Sequence, residues 1–384
     1  MPDLKQNLNL LVHASQHPKQ QLEYYLHQGK KVVGCFPPYT PEELVYASGM
    51  IPMGLWGGQA ELKLVKSYLP PFACPIMQST LEFGLNDTYH GLSAVIIPAI
   101  CDTLRCMTQN WRFGVTSIPM IPIVYPQNRT SPASVDYLIS EYENVLVMLA
   151  TITGNMMSEK SLCAAIDIYN RHNAVMRQFN QIANNHLDII TPKVRHAVNK
   201  SALFFDKKDH TQIVESIIEQ LNQLPVHPYQ GKRIILTGIT CEPDALLDIF
   251  EENHIAVVAD DLAQEGRQFR TDTPEKGGGG LKRLALQWKA RHGCSLIHER
   301  GKPRGPMLVK MCQEYQADGV INCLMKFCDP EEYDQPYFEA DLHAAGYPCL
   351  TIEIDPQNHS YEQIRTRVQS FCDDLTLQYL SCCK

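Results

Sequence analysis

The sequence has no long apolar run, no excess of basic charge and no secretory leader. Its 384 residues carry a net charge of −8 at pH 7, and an acidic chain does not attract nucleic acid or anionic lipid by bulk charge. No stretch of ~18 apolar residues is available for a membrane-spanning helix. The N-terminus lacks the basic and apolar regions of a signal peptide. We therefore expect a cytoplasmic protein without a nucleic-acid or membrane partner.

The short motifs that commonly identify an enzyme are also missing. The sequence contains no Walker A loop, no GxGxxG after a strand, no HExxH, no nucleophile elbow and no CxxC pair. The glycine run Gly277–Gly280 follows Pro274-Glu275-Lys276 rather than a strand, so we interpret it as a loop and not as a phosphate cradle. Arg267 and Arg270 could meet phosphates or a partner's carboxylates, but we expect them to be solvated surface residues.

Short apolar runs alternate with amphipathic stretches over most of the chain, which is typical of an α/β fold with parallel sheets. The predicted strands are Lys31–Phe36, Ala94–Ala99, Pro119–Tyr125, Arg233–Ile239, His254–Ala259, Gly319–Leu324 and Pro348–Ile354. The predicted helices are Pro41–Ala47, Pro75–Leu85, Thr103–Phe113, Leu281–Ala290, Pro306–Glu314, Pro330–Ala345 and Tyr361–Leu380.

The middle of the chain shows helical periodicity and few strand candidates. We predict three parts: an N-terminal α/β domain with leading helices (1–132), a helical connecting segment (133–228) and a C-terminal α/β domain (229–384). The breaker Leu224–Tyr229, which contains two prolines, precedes the third part.

The chain has 14 cysteines, too sparse for a disulfide scaffold and consistent with free thiols in a reducing compartment. Three of them share a local context. Cys101 and Cys328 each follow a predicted strand and precede a helix that opens with aspartate, and Cys74 precedes Pro75 and a helix. Proline and aspartate favour helix starts. We therefore expect three sulfurs at helix N-termini, at the carboxyl edge of a sheet where open α/β folds bind ligands.

A helix N-terminus carries partial positive charge and free N–H groups, so it stabilises a thiolate. Soft thiolates select iron–sulfur clusters, zinc or cuprous copper. The long spacings between the three cysteines resemble neither a zinc finger nor a ferredoxin. The residues alone leave two hypotheses open: a metal site in a cleft between the domains, or three buried structural thiols. Cys382 and Cys383, beside the C-terminus, are expected to be exposed.

The chain resembles the 2-hydroxyacyl-CoA dehydratase family, which includes the ATP-dependent benzoyl-CoA reductases. The likeness is to the smaller, beta (D-component) subunits of the (R)-2-hydroxyglutaryl-CoA enzymes. The matching segments contain PPYTPEELVYASGM, CDTLR and FCDPEE, and they span nearly the whole chain. They are Gly29–Gly57, Cys74–Phe83, Gly91–Trp111, Ile255–Phe269 and Ala317–Pro336.

This resemblance implies two Rossmann-like or flavodoxin-like domains joined by helices, with an iron–sulfur site in the cleft between them. It implies a [4Fe-4S] cluster held by Cys74, Cys101 and Cys328, with a flavin as a further possible cofactor. Cys106 and Cys323 fall outside the family pattern and are expected to be core residues or neighbours of the ligands. The fourth cluster ligand and the catalytic residues are not indicated.

The implied reaction is radical dehydration of an (R)-2-hydroxyacyl-CoA, of 2-hydroxyglutaryl type, to the enoyl-CoA through a ketyl radical anion. The implied partners are a homologous alpha subunit in a heterodimer, an ATP-hydrolysing iron–sulfur activator and the acyl-CoA substrate. Two alternatives remain: a benzoyl-CoA reductase-type subunit, and an orphan iron–sulfur protein for electron transfer or cluster delivery. In each case the protein would work in an anaerobic cytoplasm.

Overall fold

The computed structural model describes residues 3–382, and the side chains of residues 3–377. The exposure expected for Cys382 and Cys383 therefore lies outside the described side chains. The helices are α1 Leu4–Gln16, α2 Pro18–His27, α3 Glu42–Ala47, α4 Pro75–Leu85, α5 Asp102–Gly114, α6 Ser134–Thr153, α7 Glu159–Ile182, α8 Pro192–Ser201, α9 Lys207–Leu221, α10 Asp244–Glu252, α11 Gly266–Phe269, α12 Gly280–Ala290, α13 Arg304–Tyr315, α14 Asp329–Ala344 and α15 Glu362–Cys382.

Eight strands form two separate parallel sheets. They are β1 Val32–Cys35, β2 Ile51–Gly54, β3 Ala94–Pro98, β4 Met120–Ile123, β5 Lys232–Gly238, β6 Ile255–Leu262, β7 Gly319–Met325 and β8 Cys349–Ile354. The first sheet has the order β2-β1-β3-β4 and the second β6-β5-β7-β8, so the two repeat one topology. We call the two sheets with their helices the N-lobe and the C-lobe.

This architecture confirms the predicted α/β class with two parallel sheets. Each predicted strand corresponds to a strand of one of the sheets, whereas β2 was not predicted. Strands β1, β2 and β3 are buried along their whole length. Helices cover both faces of a parallel sheet, so its strands are continuous apolar runs.

The stretch between β4 and β5 contains the helices α6, α7, α8 and α9. Part of it packs on α1, where Leu11, Phe179 and Ile217 belong to one apolar cluster. A larger apolar cluster contains residues of both sheets, among them Ile96 and Ile321, so the two lobes share a core. The domain boundaries proposed from the sequence stay a prediction. No helix within residues 3–382 is long and apolar enough to cross a membrane.

Candidate metal centre

The three cysteines singled out in the sequence each occupy the N-cap of a helix. Cys74 precedes α4, Cys101 precedes α5 and Cys328 precedes α14. Proline stands in the first turn of α4 and α14, and aspartate begins α5 and α14. These residues favour helix initiation because proline lacks the N–H that would stay unpaired there and aspartate complements the helix dipole. The sequence-based placement of the three sulfurs at helix starts is confirmed.

Cys101 and Cys328 occupy corresponding places in the two lobes. Each comes three residues after the last residue of the third strand of its lobe, β3 or β7. Phe327, immediately before Cys328, has a φ of +58°. A non-glycine residue there costs on the order of 1–3 kcal/mol, and such strain is found at functional sites. Both cysteines therefore lie at the carboxyl edge of a parallel sheet, the edge where open α/β sheets bind ligands.

The three side chains are linked by electrostatic interactions across the lobes. The Cys101 thiolate raises the pKa of Cys74, and the Cys74 and Cys101 thiolates both raise the pKa of Cys328, after the larger contribution from burial. The carboxylate of Asp329 in the C-lobe also raises the pKa of Cys101 in the N-lobe. Charges interact in this way only over short distances. The fold thus gathers three cysteines that are far apart in the sequence.

Burial dominates the acid–base behaviour of these thiols. It raises the pKa of Cys74 to about 12, and raises the pKa of Cys101 and, more strongly, of Cys328. Backbone N–H groups in the first turn of each helix partly offset this increase in pKa. The main donors are the N–H groups of Met77 for Cys74, Leu104 for Cys101 and Glu331 for Cys328. Three adjacent thiolates would therefore need a cationic partner, and the donor set suits a soft, thiolate-binding metal centre.

A single metal ion does not fit these side chains as they stand. Within the described part of the chain, no three or more His, Cys, Asp or Glu side chains are grouped closely enough to hold one ion. In an iron–sulfur cluster each cysteine binds a different iron atom, so the sulfurs need not meet at one point. The described geometry therefore gives no support to a compact zinc site, and the iron–sulfur cluster in the cleft stays a prediction.

A fully buried ionic network lies beneath the start of α14. Arg267 donates through Nη2 to Asp261 Oδ2 (3.0 Å) and through Nη1 to Glu331 Oε1 (3.4 Å). Arg304 donates through Nε to Asp261 Oδ2 (2.9 Å), and its Nη2 lies 2.9 Å from Glu331 Oε2. Glu331 stands in the first turn of α14, and its backbone N–H donates to the carbonyl of Cys328 (2.9 Å). The network thereby fixes the helix turn that carries Cys328.

The expectation that Arg267 and Arg270 are solvated is wrong. The Arg267 side chain is 1% exposed and that of Arg270 is 21% exposed, and both pair with the buried Asp261. The signal in the sequence was the pair Asp260-Asp261 at the end of an apolar strand. A buried carboxylate is retained only with cationic partners close by, and two arginines follow within one short turn and helix.

The remaining cysteines separate into core and surface residues. Cys323 on β7 is fully buried, as expected. Cys106 on α5 is exposed, so it is not a core residue, and the other expected place, beside the ligands, stays a prediction. Cys294, not noticed in the sequence, is buried and accepts a hydrogen bond from Arg267 Nη1 (3.3 Å).

Comparison with known proteins places the chain in a family. The chain matches the family model described as 2-hydroxyglutaryl-CoA dehydratase, D-component, over residues 37–375. It is 44% identical over 361 residues to the (R)-phenyllactyl-CoA dehydratase beta subunit of Clostridium sporogenes, covering 94% of this chain and 96% of that protein. It is 42% identical over 370 residues to the lactoyl-CoA dehydratase beta subunit of Anaerotignum propionicum, covering 96% and 98%.

Two further relatives are more distant. The (R)-2-hydroxyglutaryl-CoA dehydratase beta subunit of Acidaminococcus fermentans is 35% identical over 368 residues, covering 94% of this chain and 97% of that protein. A subunit of the benzoyl-CoA reductase of Thauera aromatica is 21% identical over 354 residues, covering 91% and 92%. The dehydratase beta subunits are therefore the more similar group.

Proposed function

The chain belongs to the 2-hydroxyglutaryl-CoA dehydratase D-component family, and from that premise we propose that it is the beta subunit of a 2-hydroxyacyl-CoA dehydratase. The observation that carries the proposal is the position of Cys74, Cys101 and Cys328 at three helix starts, within a chain that matches dehydratase beta subunits over nearly its whole length. The acyl chain remains open, because the phenyllactyl and lactoyl relatives are more similar than the 2-hydroxyglutaryl relative.

The three cysteines would hold a [4Fe-4S] cluster, whose chemistry is to pass one electron to the thioester carbonyl and to take it back. That electron would give a ketyl radical anion, from which the α-hydroxyl would leave as hydroxide. The β-proton of the enoxy radical formed in this way would be acidic, and its loss together with return of the electron would give the enoyl-CoA and water. The protein binds and orients the groups and excludes water.

The residues of this chain contribute positioning and electrostatics. The helix starts direct N–H groups toward the sulfurs, and such donors favour the anionic form of a thiolate centre. The Arg267–Glu331 and Arg304–Glu331 contacts hold the first turn of α14 in place. The low exposure of Cys328, 9%, limits access of water to this side of the centre.

We propose a homologous alpha subunit as the partner, since the relatives are named as beta subunits. An ATP-hydrolysing activator would deliver the low-potential electron, and the complex would work in an anaerobic cytoplasm. The benzoyl-CoA reductase alternative is less well supported, because that relative shares 21% identity against 44% for the phenyllactyl enzyme.

Anaerobic purification with iron and acid-labile sulfide analysis tests the ligand assignment. Cys101→Ala should lose most of the iron, sulfide and visible absorbance, because one of the three cluster thiolates is gone. Cys106→Ala removes an exposed thiol from the same helix and should keep them. Full iron content in Cys101→Ala would show that the assigned ligands are wrong. Activity with acyl-CoA substrates and the partner proteins then separates a dehydratase from an electron-transfer protein.

A further inference from the structure

A small cavity borders the PPYTPEE segment, Pro37–Glu43, which follows β1. Its free volume is about 20 Å³. Three stretches that are distant in the sequence form its walls: the segment itself, α6 with Tyr142, and α12 with Trp288. Tyr125, which follows β4, and Arg291, which follows α12, complete the walls. We call this space the Trp288 cavity.

The indole of Trp288 brings an unsatisfied donor to this cavity. Trp288 is 5% exposed, and its Nε1 atom has no hydrogen-bond partner among the described residues. Aromatic packing holds the ring, since the ring centroids of Tyr125 and Tyr39 lie 4.2 Å and 5.7 Å from its own. Trp111 shows the usual arrangement, because its buried Nε1 donates to the Ile118 carbonyl (3.1 Å). A buried N–H group without a partner is costly and rare, so we expect the cavity to supply one.

Two acceptors line the same cavity. The Tyr125 hydroxyl donates to the Tyr39 carbonyl, so Tyr142 is the donor in the hydrogen bond that the two hydroxyl groups of Tyr125 and Tyr142 share. The Tyr142 oxygen therefore keeps a lone pair that can accept. The carboxyl of Glu43 accepts its own backbone N–H, and its two oxygens leave room for a further donor.

The size and the charges of the cavity select the ligand. A water molecule needs about 10–15 Å³ of such volume, so 20 Å³ holds one. A buried water typically makes about three hydrogen bonds, and the cavity offers one donor and two acceptors. The guanidinium of Arg291, 4.3 Å from the centre of the Tyr39 ring, disfavours a cation, and the Glu43 carboxyl disfavours an anion.

We propose that the Trp288 cavity binds one water molecule, which accepts a hydrogen bond from Trp288 Nε1 and donates to the Glu43 carboxyl and to the Tyr142 oxygen. The water joins the PPYTPEE segment, α6 and α12 through one hydrogen-bonded centre. It thereby gives the segment a structural role besides the start of α3. The site depends neither on the metal centre nor on dehydration, so its failure and failure of the proposed function are separate results.

A crystal structure of the purified full chain tests the site directly. One ordered water should lie about 2.7–3.2 Å from Trp288 Nε1, within hydrogen-bond distance of Glu43 and Tyr142. An empty cavity, or a protein group bonded to Trp288 Nε1, would overturn the proposal.

Nuclear magnetic resonance tests the same site in solution. The chain has three tryptophans, so labelling the indole nitrogens with ¹⁵N gives three signals, which Trp288→Phe and Trp111→Phe assign. The Trp288 N–H should show a nuclear Overhauser effect to water. The Trp111 N–H should show none, because a carbonyl is its partner. No effect at Trp288, or equal effects at both residues, would reject a water bound at this site.

A pair of variants on α6 assigns the water to its acceptors. Tyr142→Phe removes one of the two acceptors and should reduce the effect between Trp288 N–H and water at least twofold, because the water keeps only two partners. Tyr137→Phe is the matched control, since Tyr137 lies on the same helix and is 44% exposed, and it should match the parent chain. An unchanged signal in Tyr142→Phe would contradict the proposed hydrogen bonds.

Discussion

Replacing Asp261 by asparagine should strongly destabilise the C-lobe. Asp261 is fully buried and pairs with three arginines: Arg267 at 3.0 Å, Arg270 at 2.7 Å and Arg304 at 2.9 Å. The arginines outweigh the cost of its burial and hold its pKa well below the usual range. Asparagine keeps the shape but leaves these guanidinium groups without their shared anion. Removing one partner of a buried pair costs about 3–5 kcal/mol.

That loss is large enough to measure directly. Domains of 150–250 residues change their melting temperature by about 2–4 °C per kcal/mol, so we expect a decrease of roughly 6–20 °C in calorimetry, with an earlier urea midpoint. The control is Asp167→Asn, because Asp167 is 76% exposed and lies 3.9 Å from its arginine. Such exposed pairs contribute about 0–1 kcal/mol.

A second variant tests the reason for the loss. Arg270 has the most exposed of the three guanidinium groups, at 21%, and Arg270→Gln in the Asp261→Asn background removes one unpaired cation. The double variant should therefore lose less stability than the two single losses added together. If the Asp261→Asn protein melts within about 2 °C of the parent, the ionic network does not support the helix that begins after Cys328.

Two other predictions concern stability. Gly57→Ala should be strongly destabilising, because Gly57 has a φ of +69° and an added Cβ would lie 2.2 Å from the nearest hydroxyl oxygen. The control is Gly49→Ala, which should cost only backbone strain, since Gly49 has a φ of +77° and nothing lies within 4 Å of an added Cβ. Equal urea midpoints of the two variants would contradict this prediction. His196 should stabilise the protein below pH 6.5 and lose that effect as pH rises toward 10. Burial alone would lower its pKa, but Glu265 and Glu242 raise it to about 10. The folded state therefore binds a proton that the unfolded chain has released. Melting temperatures of the parent and His196→Gln should converge between pH 6.5 and 10, and a constant difference would count against the ion pairs.

The fold could be predicted from the sequence where local patterns decide it. Short, unbroken apolar runs such as Ala94–Pro98 between helical stretches predicted parallel strands, because buried strands of this kind need no alternation of apolar and polar residues. Strand β2 was missed because its four residues, Ile51–Gly54, include Pro52 and Gly54, two residues that argue against a strand. Its pairing with β1 is a tertiary effect, which the local sequence does not encode.

The candidate site could be predicted only in its helix starts. The prolines and aspartates beside Cys74, Cys101 and Cys328 placed these sulfurs, since helix capping is a local property. The partners of Arg267 come from three different segments of the C-lobe, and the electrostatic interaction of Cys328 with Cys74 and Cys101 joins the two lobes. Neither could follow from spacing, because side-chain pairing across elements depends on the packing of the whole fold.

The repeated topology explains how the proposed ligands, although distant in sequence, could serve one centre. Cys101 and Cys328 follow equivalent strands, β3 and β7, of two sheets with the same strand order. If the carboxyl edges of the two sheets face each other, both helix starts lie at one cleft. Cys74 has no counterpart in the C-lobe, where the strand equivalent to β2 leads to Asp261 and its arginines instead. The proposed centre would therefore take two sulfurs from the N-lobe and one from the C-lobe, whose strand β6 carries a member of the ionic network instead. Because that network supports the single C-lobe sulfur, loss of Asp261 should disturb the centre as well as the stability of the lobe.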